Sequence, residues 1–465
     1  MTPRPFHWTH GLIGLALASL AGAAFGQAPP AVPDHPLSVK ECVSLAVEQN
    51  PNVASYLHSG RYALAHVGAS KAAYWPTLDL NGTLGRSYSE PQGTSSRSGL
   101  ILGSATATAT AATASAQYTL WDSGQRKAAV EGSQAGYEAA DSNYQATALT
   151  LALQVESSFY TVQGAQWALE VSKDTLRQAD LNYDAAKARN DVGLAARSDV
   201  LQAATTQANA RLGVIQAEAA LKTATATLAN LMGFPADSIL QIEPANRTFI
   251  PPQLPDWAQG WERAKTSLPE IKAAFATAES YRFAYLGAEA AYRPTVTANG
   301  TAGLFDSGSW PDRQEWSAGI TLHVPVFTGF ARKYVARQAK EAWEEYKANT
   351  QATILTAEQT AYQARISLDE AIQAVTAAEA YVASAQENSD VANGQYANGL
   401  GSQLNVIDAM AALSSARLSL ISARLSVATA WVAWQRATGM DLLEGLTLPS
   451  TSQQRPDGAQ SRGNR

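Results

Sequence analysis

Histidines, cysteines and converging carboxylates are the residues from which most enzymes build a site, and this chain of 465 residues has six His and one Cys. With an N-terminal leader set aside, only His35, His58, His66 and His323 remain. None forms a His-Glu-x-x-His pair, and neither a Gly-rich phosphate loop nor a Gly-x-Ser-x-Gly turn occurs. His58 and His66 can share a helix face but have no further ligands in reach of sequence, so no metal site is expected. Cys42 stands alone in the apolar stretch Val39 to Val43, which excludes an intramolecular disulfide and reads as a small core residue. The carboxylates are scattered along helix-forming segments as a solvated face. These residues imply neither an enzyme nor a cofactor.

What positions so little chemistry is the next question. Arg4 precedes an apolar run from Gly11 to Ala24, with small residues at Ala24 and Gly26. That pattern reads as a secretory signal over residues 1–26, with cleavage before Gln27 and no acylated cysteine. Beyond it, no segment holds 18 continuous apolar residues, so no membrane-crossing helix is expected. The formal net charge is −6, and no basic block exceeds two residues, which argues against a nucleic-acid partner.

The chain contains itself twice. Ala72-Ala73-Tyr74-Trp75-Pro76-Thr77 returns 218 positions later as Ala290-Ala291-Tyr292-Arg293-Pro294-Thr295, and Asn81-Gly82-Thr83 returns as Asn299-Gly300-Thr301. Past the strands the offset falls to 206: Gly193-Leu194 matches Gly399-Leu400, and Gly233 matches Gly439. The first copy therefore carries 12 extra residues, placed in the Ser/Gly/Pro/Gln-rich stretch Ser87 to Ser104, which reads as an exposed loop. The resulting organisation is a first repeat over 37–233, a proline-rich linker over 234–256, a second repeat over 257–440 and a polar, disordered tail over 448–465.

Each repeat holds two segments of period-two alternation, at about 77–88 and 105–121, then 295–304 and 314–326. One face of these carries Leu78, Leu80, Leu84, Ile320, Leu322 and Val324; the other carries Asp79, Asn81 and Thr321. Alternating segments of this length fit an outer-membrane barrel, apolar toward lipid and polar toward a lumen. A half-buried soluble sheet alternates too. Four strands cannot close a membrane barrel, which needs at least about eight, and open edges cannot face lipid. If these strands span a membrane, several chains share one barrel.

The helices are long. Residues 124–191 and 329–397 lack proline, and the first would reach about 100 Å at 1.5 Å per residue. Val155, Val162, Leu169, Leu176 and Tyr183 recur every seven residues, as do Val130, Tyr137, Tyr144 and Leu151, and Leu368, Val375 and Val382 continue the pattern in the second copy. A seven-residue repeat implies left-handed coiled packing, and two such seams on one helix imply two neighbours, as in the wall of a tube. An ordinary antiparallel bundle also presents broad apolar faces. The return helices, 194–232 and 400–438, are too short to match the long ones alone. Stacked on the helix from Pro51 to Tyr74, the first makes up the length.

The duplicated unit, the motif Leu120 to Arg126, Val326-Phe327-Thr328-Gly329, and the turns Gly193 to Leu201 and Tyr396 to Asp408 together resemble the TolC family of outer-membrane efflux proteins. The resemblance covers about residues 37 to 445. It implies a mainly α protein with a small β part: a homotrimer with a 12-stranded outer-membrane β-barrel continuous with a 12-helix periplasmic α-barrel, belted by the linker and tail. It implies a passive exit duct of a tripartite efflux or type I secretion system in a Gram-negative outer membrane. The partners would be outer-membrane lipid, a periplasmic adaptor and, through it, an inner-membrane pump. Gly193, Leu194, Gly399 and Leu400 would form the periplasmic tip that docks the adaptor. Asp199, Asn405 and Asp408 are pore-constriction candidates. Two departures stand out: no lipidated cysteine, and Asn405 where an acid is usual. The rival reading is a periplasmic coiled-coil adaptor or scaffold, which needs only one helical hairpin.

Overall fold

The computed structural model describes residues 33–89, 105–243, 255–306, 313–440 and 448–452. The leader, most of the 87–104 loop and residues 453–465 lie outside the described residues. Twelve elements follow in order: α1 Val39–Gln49, α2 Pro51–Ala72, β1 Thr77–Ser89, β2 Ala105–Trp121, α3 Gln125–Asp191, α4 Arg197–Leu231, α5 Trp257–Ser267, α6 Pro269–Ala290, β3 Thr295–Asp306, β4 Arg313–His323, α7 Ala331–Ala397 and α8 Gln403–Ala437.

Local chemistry sets the starts. Ser38 and Glu41 form a capping box on α1: the Glu41 carboxylate accepts the Ser38 N–H at 2.9 Å, while the Ser38 hydroxyl accepts the Glu41 N–H at 3.4 Å. Pro51 and Pro269 open α2 and α6, where a missing N–H costs nothing. The Asn50 side chain caps α2 through Asn52 N–H and donates its amide to Leu231 O at 2.9 Å, tying the start of α2 to the end of α4. The second copy makes the same join with an ion pair, Arg436 to Glu270 at 3.1 Å. Each short helix is thus stacked on a return helix. With 22 and 35 residues, the pair runs about 85 Å beside a 67-residue helix of about 100 Å.

The helices lie side by side as a wall. α2 and α4 pack on α3, and α6 and α8 pack on both α3 and α7. The expected seam is its core: Tyr144, Leu151, Val155 and Val162 are buried, as are Leu368 and Val375. Toward the tip, Leu169, Leu176 and Tyr183 are only half-buried. The largest core cluster joins this seam to α1, the end of α4 and the linker, where Leu37 and Ile242 form a parallel bridge. Cys42 sits inside it, and burial pushes its thiol up to about 12. Among the described residues α8 is long and apolar enough, by length and composition, to cross a membrane. Here it packs along α3 and α7, with 33 % of that apolar window buried.

The four strands form one antiparallel sheet in the order β1-β2-β3-β4. Two expectations need correction. β4 stops at His323 rather than continuing to 326, because Pro325 has no N–H to give a ladder, so Val324 lies beyond the strand. The tail was expected to be disordered from 448, yet its described part is seated: Thr451 is buried, packs against Gly60, and bonds to Tyr137 and Asp141. A short polar segment gave no hint of that seat, because the hydrogen-bond partners are more than 300 residues away.

Candidate conduit, strand face and tip

The sheet register lines up the two faces across all four strands. Leu80 pairs with Ala114, Ala114 with Ala302, and Ala302 with Trp316; one position along, Asn81 pairs with Thr113, Thr113 with Gly303, and Gly303 with Glu315. Directly paired residues share a face, so one face is Leu, Ala, Ile and Trp and the other Asn, Thr, Ser and Glu. On the apolar face Leu78, Leu80, Leu84, Ile320 and Leu322 are all exposed, Leu80 at 82 %; Val324 is exposed just past the strand. Leu78 to Leu84 covers about 20 Å of strand at 3.4 Å per residue. Arg86, Asp306 and Gln314 occupy the same face at its far end. Exposed aromatics, Trp75, Trp121, Phe327 and Phe330, collect where the strands meet the helices. The polar face is internally bonded: Asn299 donates to Thr321 at 3.1 Å, and Thr301 and Ser317 hydroxyls lie 2.7 Å apart.

The strand-to-helix junction is built by Asp122 and Arg126. Asp122 accepts the Gly124 N–H at 3.2 Å, the Arg126 N–H at 2.8 Å and the Arg126 Nε–H at 2.8 Å. Burial raises its pKa, but these hydrogen bonds and the adjacent charge outweigh it and leave the carboxyl below its ordinary value. The Arg126 guanidinium also lies 4.8 Å over the Tyr74 ring. The Leu120 to Arg126 motif thereby acquires a structural role that its sequence alone did not state.

At the opposite end, Gly193 and Gly399 take left-handed φ of 79° and 73°. Leu194 N–H returns to Arg189 O and Leu400 N–H to Gln395 O, each at 2.8 Å, which ends both long helices in the same way. Leu194 and Leu400 project with 79 % and 82 % of their surface exposed. Sequence reasoning missed the residue that joins the two turns. Arg189 donates to Tyr396 O at 2.9 Å and Ala397 O at 3.0 Å, and its guanidinium lies 4.4 Å over the Tyr396 ring. The only signal was a basic residue in the last turn of α3, where the orphan carbonyls of a neighbouring helix end favour a cation.

The three constriction candidates sit just beyond these turns. Asp199 is half-buried in the first turn of α4 beside the Ser198 hydroxyl at 3.3 Å. Asn405 and Asp408 are exposed on α8. No hydrogen bond or ion pair joins the three. Helical spacing puts Asp408 on the same face as Ala411, Ser415 and Ser422. Those residues line a trough of about 730 Å³ between α4 and α8, with Thr175 of α3 in its lining. Among the described residues no three His, Cys, Asp or Glu converge as metal ligands.

A family model described as outer membrane efflux protein matches residues 42–234 and 261–440, the two copies of the unit. The chain belongs to that family. Family membership places the protein in the outer membrane and removes the adaptor reading. Protein CyaE of Bordetella pertussis is 28 % identical over 322 residues, covering 67 % of this chain and 65 % of that protein. Outer membrane efflux protein BepC of Brucella suis is 27 % identical over 276 residues, 59 % of each. The chain thus spans slightly less than two-thirds of the length of these relatives. The solved outer-membrane channel OprN superposes with a TM-score of 0.76 at 18 % identity, over 87 % of this chain and 90 % of that one. The Campylobacter jejuni CmeC outer membrane channel gives 0.73 at 16 % identity, over 88 % of each. These likenesses show the fold: mainly helical, with a small sheet, as in outer-membrane channels.

Proposed function

We propose that this efflux-family protein is the exit duct of a tripartite efflux or type I secretion system, assembled from three chains. The observation that carries the reading is the sheet. Among the described residues β1 and β4 each pair on one side only, and one face of the sheet is apolar and left uncovered by the chain. Unpaired edges are not tolerated in lipid, so β1 of one chain must meet β4 of another. Three copies would give twelve strands and twelve helix-wide positions in the tube below. The half-buried lower seam of α3 supports the same assembly, since a neighbour would complete it.

Cargo would enter at the tip. Leu194 and Leu400, exposed on glycine-shaped turns, are the surface for a periplasmic adaptor, which couples the duct to an inner-membrane pump. Asp408, exposed above the second turn, would contribute one carboxylate per chain to a ring that attracts cations. Native mass spectrometry in mild detergent should find a trimer, and a monomer under conditions that preserve other porins would overturn the assembly. In planar bilayers, Asp408→Ala should lower cation preference and weaken block by divalent cations. Identical selectivity and block would remove Asp408 from the pore. Leu194→Ser with Leu400→Ser should cut export without reducing trimer, and undiminished export would leave these residues as plain turns.

A further inference from the structure

At the strand end remote from the helices, the polar face of the sheet carries one large apolar side chain, Phe305, directly opposite Arg313. Its ring does not stand away from the sheet. It leans back along β3 over Gly303: a Cβ built on Gly303 would lie 2.6 Å from the ring edge and 3.2 Å from the Thr113 methyl. The Arg313 guanidinium lies 5.5 Å from the ring centroid and is itself held by Glu315 at 2.9 Å. The ring therefore has a seat below it, which exists only because residue 303 has no side chain, and a cationic neighbour beside it.

We propose that Gly303 is a positioning residue for transport: it seats Phe305 flat against the wall and keeps the outer mouth of the duct wide. The inference rests on the exit-duct reading, because the polar face must line the lumen. Three chains would put three such rings around the mouth. A β-branched residue at 303 would occupy the seat, turn each ring toward the axis and narrow the exit.

The test is passage of probes from outside, which the state of the periplasmic tip does not affect. Thr301→Cys, exposed on the same face one turn of the pleat deeper, serves as reporter. The native Cys42 is buried and remains silent. Intact cells are treated with a small and a bulky membrane-impermeant maleimide, and labelling rates are compared in trimers of verified amount. Gly303→Val should slow the bulky reagent several-fold relative to the small one, and Gly303→Val with Phe305→Ala should restore the ratio. Phe305→Ala alone should leave it unchanged. If Gly303→Val has no effect on the ratio, or if Phe305→Ala alone speeds the bulky reagent, the seat does not set the width and the inference falls while the duct reading stands. If Thr301→Cys reacts in detergent but not from outside the cell, the polar face is not an open lumen and the duct reading itself fails.

Discussion

The sheet and the helical wall of this chain treat apolar side chains in opposite ways. In the wall, Val155 and Leu368 are fully buried against helices of the same chain. In the sheet, Leu80 and Ile320 point away from everything the chain itself supplies, at 82 % and 72 % exposed. The wall can hold itself together by removing apolar area from water. The sheet cannot; in the proposed assembly lipid would cover its apolar face and a second copy each edge. On that reading one chain contains a part whose stability is internal and a part whose stability would be borrowed from its surroundings.

That contrast can be broken from either side. The largest loss should come from the wall: Leu368→Ala removes a fully buried side chain and should cost about 2–5 kcal/mol, read as a lower denaturation midpoint of the helical signal. On the sheet, Leu80→Arg should cost about 2–4 kcal/mol at the midplane and Asn81→Arg much less. The measurement is trimer yield after outer-membrane extraction; equal yields would mean the strand phase is wrong. If the sheet were stabilised internally like the wall, Leu80→Arg would also depress the unfolding of detergent-solubilised monomer, and it should not.

Gly60→Val tests the junction where the tail crosses the wall. An added Cβ would lie 2.7 Å from the Thr451 methyl. It should cost about 1–3 kcal/mol by overpacking and speed proteolytic removal of the C-terminal segment. Proteolysis at the wild-type rate would show that Thr451 is not seated there.

The smallest effect concerns acid. Burial beside the core pushes Glu156 from an ordinary 4.5 up to about 7. Between those values the folded chain holds a proton that the unfolded chain releases. Raising pH from about 4.5 to 7 therefore weakens folding through this group, and the loss is complete above 7. Glu156→Gln should abolish that part of the pH dependence, so the difference in melting temperature between variant and wild type should grow from pH 5 to pH 8. A constant difference would place Glu156 in solvent.

Much of this could be read from the residues. The repeat, with Pro76 and Pro294 before the strands and Gly193 and Gly399 at the turns, was legible because prolines and glycines act on their own backbone. The seven-residue seam was legible for the same reason: helix geometry converts spacing into a face without reference to anything distant. The alternation of Leu78 and Leu80 with Asp79 and Asn81 defined two faces of β1, again locally.

What the residues could not decide was which distant groups meet. Arg189 is an unremarkable basic residue of α3 until folding sets it 2.9 Å from Tyr396 O, 207 positions along the chain. Thr451 belongs to a polar tail until it reaches Tyr137 and Asp141. Local propensity depends on a residue and its near neighbours, whereas these contacts depend on the register and stacking of elements hundreds of residues apart. Sequence alone determined the elements, their faces and their duplication; the tertiary structure decided which ends touch, because only the packed wall brings them within hydrogen-bonding distance.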